Sequence, residues 1–166
     1  MPKKSRYRVA RRILLFWTLF IGLGAVAGAV GMLTDPSGKA MGMDAMLPYF
    51  QVLPFADVLF QNYIFSGWAL LIVNGISNLT AAVLLLLNKK SGAYLGGIFG
   101  VTLMLWICIQ FYMFPPNFMS TIYFIFGFCQ AAVGWAAIVF ARQEAFCVCA
   151  ADYPHVGQHP QRLVVY

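Results

Sequence analysis

The sequence predicts an all-α integral membrane protein: a four-transmembrane-helix bundle with both termini cytoplasmic and a partly helical interfacial loop between helices 1 and 2. Three observations carry that fold class. Of 166 residues, 61% are apolar and only 10% charged, with a mean hydropathy of +0.77, whereas a soluble domain carries about 25% charged residues. Four runs reach the ~20 mostly apolar residues that cross a bilayer. The basic residues collect in every second segment between those runs, as the positive-inside rule requires.

Taken in order, residues 1–12 form a basic cytoplasmic N-terminus carrying Lys3, Lys4, Arg6, Arg8, Arg11 and Arg12. The formal net charge is +6, but the charges sit at helix ends, where they act as orientation signals; nucleic acid is not an expected partner. The first crossing covers residues 13–33. Its basic start and "AVAG" also resemble a secretory signal with cleavage after Ala27, but the apolar run continues to Leu33, which favours an uncleaved helix. Within "GLGAVAGAVG", Gly24 and Gly28 form a GxxxG pair, and Ala27 with Gly31 repeats the spacing. Small faces of this kind let helix backbones approach closely, here against the fourth helix with its Gly127 and Gly134, or against another protomer.

Residues 34–63 form a long outer connection. It opens on the turn signal "TDPSG" and continues with "MGMDAMLPYFQVLPFADVLFQNY", rich in Met, Leu and Phe but broken by Pro48 and Pro54. That composition argues for short helical pieces on the outer interface or capping the bundle mouth, with a lid over a lipophilic site as the sharper reading. The second crossing, residues 64–87, is joined by "NKKSG" to the third, residues 92–114; "FPPNF" then breaks the chain before the fourth, residues 118–141. Lys89, Lys90 and Arg142 fall on the cytoplasmic side under this topology, and residues 142–166 form a cytoplasmic tail or linker. The expected location is the cell's inner (plasma) membrane, with the lipid bilayer as the first partner.

The second crossing carries Asn74 and Asn78 four residues apart, on one helix face. At a rise of about 1.5 Å per residue they lie roughly 20 and 14 Å from the cytoplasmic end, with Gln130 at roughly 17 Å and Thr102 at roughly 15 Å on their own helices. Three helices thus bring amide or hydroxyl groups to one depth, which the first helix passes with Gly24 and Gly28. Asn74, Asn78, Thr102 and Gln130 are the candidate cluster. Either it joins helices through interhelical hydrogen bonds, or it binds the polar group of a lipophile such as a quinone carbonyl. Placement inside the membrane rules out glycosylation of the "NLT" at Asn78.

No catalytic constellation and no metal site emerge. No acidic or basic side chain falls inside a crossing, which weakens any proton-coupled transport. His155 and His159 lie in the tail, away from any membrane haem, and Cys147 with Cys149 lacks zinc-site spacing. Cys108 and Cys129 sit in apolar runs, where free cysteine acts as a small hydrophobe. Trp106 and Trp135 fall at depth, where their indole N–H groups need partners and core packing is the expected use.

The tail changes character at "RLVVY", Arg162 to Tyr166, which resembles the first strand of flavodoxin-like domains. That resemblance implies a soluble redox domain in a C-terminal continuation, the only place FMN is expected; no cofactor is expected in this segment. Through "DPSG" (Asp35–Gly38), "GM" (Gly42, Met43), "LPFADVL" (Leu53–Leu59) and the helix from Ser66 onward, residues 13–141 are loosely similar to DoxX-like bacterial four-helix membrane proteins. That likeness implies redox or quinone chemistry but assigns no catalytic residue. The expected function is a membrane-anchoring module for a cytoplasmic redox domain or partner, with a quinone-like lipophile at the amide level. An oligomeric small-solute channel built through the glycine-rich first helix and a purely structural scaffold stay open.

Overall fold

The computed structural model describes the backbone of residues 3–151 and the side chains of residues 6–143. Four long helices dominate: α1 (Lys3–Thr34), α2 (Ile64–Leu86), α3 (Lys90–Met113) and α4 (Phe118–Ala151). All four are long and apolar enough to cross a membrane, and there is no strand among the described residues. Both outer helices run past the expected ends of their apolar stretches. The basic segment is helical from Lys3, and α4 continues to Ala151 because no helix breaker intervenes before Pro154.

The chain runs up, down, up and down, each helix packing on its neighbours and α4 closing back onto α1. One end of the core is Ala10, Leu14, Leu85, Ala93 and Ala137. Those residues come from all four helices, so the start of α1, the α2–α3 connection and the end of α4 share that end. The basic residues Arg6, Arg11, Arg12, Lys89, Lys90 and Arg142 therefore gather there.

The bundle buries a set of polar side chains within an otherwise apolar core and presents large apolar side chains outward. Thr18, Ser66, Asn74, Asn78, Ser120 and Gln130 are buried. Leu23, Ile72, Leu105, Phe128 and Trp135 face outward, Trp135 at 70% exposure. An aqueous fold reverses this distribution, because exposed apolar area costs free energy in water.

The two tight connections have legible causes. After α2, Asn88 takes a left-handed conformation (φ 59°), and Lys89 N–H donates to Leu84 O at 2.9 Å while Asn88 N–H donates to Leu85 O at 3.1 Å. This paired closure ends a helix at once, and Asn tolerates it better than most residues. After α3, Pro115 and Pro116 break the chain, and Asn117 caps α4 by accepting the Ser120 N–H at 2.8 Å.

α3 and α4 make the closest helix pair. A methyl group at Gly134 would run into the backbone of Gly97, and one at Gly100 would lie 2.5 Å from Ala131 N and 2.8 Å from Gly127 O. Gly127 and Gly134 therefore serve α3 rather than α1. The helix-packing glycines of α1 meet side chains instead: Gly28 faces Leu70 and Gly31 faces Met41, while Gly24 has only the Tyr123 hydroxyl within 4 Å, at 3.9 Å.

The outer connection is helical in pieces, Lys39–Met41, Asp44–Val52 and Ala56–Leu59. Asp35 starts it, its carboxylate accepting from Ser37 Oγ at 2.6 Å and from Ala40 N–H at 2.7 Å. Those bonds hold its carboxyl below the usual carboxylate range. Gly38 is required twice over, by its φ of 75° and because a methyl there would meet the Tyr63 ring at 2.5 Å. Tyr63, 2% exposed, ties the segment down: its hydroxyl donates to Met43 O at 2.6 Å and its N–H to Pro36 O at 3.0 Å.

Burial, with a smaller contribution from Asp44, pushes the Tyr63 phenol up from 10.0 to about 12. A phenol raised in the folded state stabilises it fully below pH 10. That contribution is lost as pH climbs through about 12. Tyr63→Phe is accordingly expected to remove a step near pH 12 from the ultraviolet titration of the folded protein. It should also cost about 0.5–1.5 kcal/mol of stability at neutral pH through the lost hydrogen bond.

Candidate functional site

At mid-bundle, three helices meet through amides. Gln130 on α4 donates from Nε2 to Asn78 Oδ1 on α2 and to Gly96 O on α3, both at 2.7 Å. Asn78 in turn donates from Nδ2 to the backbone O of Asn74 at 2.9 Å. Asn78 and Gln130 are fully buried, at 0% exposure each. Toward the basic end of the bundle the helices close on Leu14, Leu85, Ala93 and Ala137.

Asn74 is different. Its side chain is 1% exposed, yet neither Oδ1 nor Nδ2 has a hydrogen-bond partner. The residue sits in a π-helical stretch, Leu71–Ile76, set within α2, with Ser77 Oγ donating to Ile72 O at 2.8 Å. Gly75 fits this stretch against Val26 of α1. Single π-turns inside α-helices recur at functional sites, where they re-aim a side chain.

Asn74 lines a cavity of about 560 Å³ between the amide layer and the outer connection. Pockets of about 300–1,000 Å³ take drug-sized ligands. Its walls are mostly apolar. α1 contributes Ile21, Gly24 and Gly28; α3 contributes Leu103, Trp106 and Ile107; Tyr123 comes from α4. Its outer cover is Met41, Met43, Met46, Phe50 and Tyr63, so the outer connection does cap the bundle mouth. Flexible thioethers suit a surface that must re-pack around an apolar guest. Among the described residues, no Lys, Arg, His, Asp or Glu lines the cavity. At its outer wall Ser120 Oγ donates to Gln110 Oε1 at 3.0 Å, joining α3 to α4.

Of the four candidate cluster residues, the structure brings Asn78 and Gln130 into direct contact and leaves the Asn74 amide buried and unpartnered at the border of the cavity. Thr102 stands apart, half exposed, its hydroxyl bonded to Ile98 O of its own helix at 3.1 Å. The inward face of α3 is Gly96, Gly100, Leu103 and Ile107, and depth alone could not reveal that azimuth. Trp106 lines the cavity, whereas Trp135 faces outward rather than packing in the core. Sequence reasoning missed the Gly96 carbonyl, and it missed the pair Gln110–Ser120. The first carries no side-chain signal; the second lies near a break that looked merely structural. Cys108 and Cys129 are free thiols, and no cluster of metal-ligating side chains occurs among the described residues. Cys147, Cys149, His155, His159 and the Arg162–Tyr166 segment lie outside the described side chains.

The Gln130 bonds make a direct prediction. Gln130→Leu removes two buried hydrogen bonds, while the orphaned Asn78 Oδ1 and the loss of the already unpartnered Gln130 Oε1 offset each other; at about 0.5–1.5 kcal/mol per bond the bundle should lose about 1–3 kcal/mol. Unfolding of the purified variant in mixed micelles measures it.

The fold and site together define a helical bundle with a mostly apolar cavity between a buried amide layer and a methionine-rich outer connection. No protein-family model, curated protein or solved structure matches the chain.

Proposed function

We propose that this chain is a multi-pass membrane protein that holds a lipophile in the cavity above the amide layer. The observation that carries the reading is a cavity of about 560 Å³ with mostly apolar walls, bordered by Asn74, a buried amide with two unused hydrogen-bonding atoms. An unpartnered buried amide costs free energy in the empty protein, and a guest with a polar group recovers it. A quinone-like lipophile has the size and polarity for this space.

The basic end of the bundle supports an orientation with that end on the cytoplasmic side of the inner membrane and the covered mouth outward. A redox domain or partner would attach at the cytoplasmic end, where α4 leads into the tail. The closed layer at Leu14, Leu85, Ala93 and Ala137 speaks against a solute channel through one protomer.

The test is purification in mild detergent, followed by mass spectrometry of retained small molecules. A lipophile is expected with the native protein and absent from Asn74→Leu. It should also be absent from Gly24→Leu, which fills the cavity from α1 and leaves Asn74 in place. Bulk phospholipid alone, unchanged in both variants, would refute the reading.

A further inference from the structure

Resting on the lipophile reading, we propose that the guest enters and leaves sideways, through a window between α1 and α4. It is then a lipid drawn from the bilayer, whose hydrocarbon chain passes between Gly24 and Tyr123.

Three of the four helix seams around the cavity are closed. Between α1 and α2, a methyl group at Gly67 would meet Met32 and Leu33, and one at Gly75 would meet Val26, at 3.1–3.3 Å. Between α2 and α3, Asn74, Leu103 and Ile107 are buried. Between α3 and α4, backbone meets backbone at Gly97 with Gly134 and at Gly100 with Gly127, and the Ser120 hydroxyl bonds to Gln110 nearer the outer connection.

The fourth seam opens. At the basic end α1 and α4 pack through Ala10, Leu14 and Ala137, and then through Trp17 and Phe20 against Phe126, with ring centroids 5.3 and 5.5 Å apart. One turn further on, Gly24 is exposed, and a methyl group there would have only the tip of the Tyr123 side chain within 4 Å, at 3.9 Å. The exposed members of the cavity lining are Gly24, Met41 and Met119. They frame this seam, because Met41 lies against Gly31 of α1 and Met119 belongs to the first turn of α4.

The outer connection is packed by comparison. Phe50 stacks on Phe60 and meets Tyr63 and Phe114 edge-on, at 5.3–5.6 Å. Tyr63 is bonded in turn to Met43 and Pro36. A guest arriving from water must break those contacts, whereas one arriving from the side has to move the Tyr123 side chain.

Depth and chemistry agree with a lipid source. At about 1.5 Å per residue, Gly24 and Gly28 lie roughly 15 and 9 Å from the end of α1 at Thr34, inside a hydrocarbon core about 30 Å thick. Phe20 and Leu23 beside the window are exposed and apolar. Among the described residues no charged side chain lines the cavity. The window therefore suits a hydrocarbon chain and not a charged headgroup.

The experiment uses the full chain, stripped of co-purifying lipid and reconstituted in phosphatidylcholine vesicles. Tryptophan fluorescence is read in each background, with Trp106→Phe identifying the share of Trp106, which lines the cavity. 1-Bromohexadecane dissolved in the bilayer quenches on contact from the lipid side, and acrylamide quenches from the aqueous side. Trp106 should be quenched by the bromoalkane and protected from acrylamide. Gly24→Leu, which blocks the window and fills the cavity, should abolish the bromoalkane quenching of Trp106, and Tyr123→Ala should steepen it. Quenching unchanged by both substitutions places the contact on the outer surface of α3 and overturns the window; should Gly24→Leu fail to fold, Tyr123→Ala alone decides. A bromoalkane that spares Trp106 in a protein that retains a lipophile on purification overturns the window and leaves the cavity reading. Acrylamide quenching of Trp106 in a protein that retains no lipophile overturns both.

Discussion

Gly134→Leu is expected to abolish the folded bundle. The Cβ alone would collide with the Gly97 backbone, its N within 2.8 Å, and backbone on both sides cannot rotate away as a side chain could. Overpacking a well-packed core costs about 1–3 kcal/mol even for added methylenes that neighbours can accommodate. A leucine wedged between two helices at their closest approach exceeds that range. The helices α3 and α4 must then separate, taking with them Gln130 and its bonds to Asn78 and Gly96. Monodispersity in detergent and resistance to unfolding measure the loss. Gly24→Ala is the contrasting case: with only Tyr123 Oη at 3.9 Å nearby, it should leave stability unchanged or raise it by up to about 1 kcal/mol through helix propensity.

Asn74→Leu is expected to act oppositely on stability and on binding. The substitution removes an amide that makes no hydrogen bond through its side chain. It keeps the backbone carbonyl that accepts from Asn78. The ligand-free variant should therefore gain about 1–3 kcal/mol, the cost of burying an unsatisfied polar group. It should lose the retained lipophile at the same time. A site that pays stability for binding gains stability when it is disarmed, whereas a pure helix joint loses it.

Much of the architecture was legible in the sequence because bilayer physics imposes few solutions. Length and hydropathy located four helices, and Pro115, Pro116 and "NKKSG" located the short connections. The meeting of Asn78 with Gln130 was foreseeable from depth, since each lies a similar number of residues from the same end of the bundle. Azimuth was not. Thr102 shares that depth yet bonds within its own helix, because α3 turns its glycine face inward.

The glycine pattern was also ambiguous by nature. "GLGAVAGAVG" and the glycines of α3 and α4 read alike, but only the second pair brings backbone to backbone; Gly24 and Gly28 instead line the cavity. Spacing signals that a close approach is available and does not name what approaches. The π-helical stretch around Asn74 was not legible in the sequence: Val73, Asn74, Gly75 and Ile76 are weak α-helix formers, but low propensity does not specify a π-turn. That stretch, more than the residue type, distinguishes the unpartnered Asn74 from the bonded Asn78.

The most direct measurement is the unfolding free energy of ligand-free native protein, Asn74→Leu and Gln130→Leu, taken side by side in the same mixed micelles. Asn74→Leu at or above the native value, with Gln130→Leu about 1–3 kcal/mol below it, is the predicted result. If Asn74→Leu instead loses as much as Gln130→Leu, both amides hold helices together and the cavity has no binding group of its own.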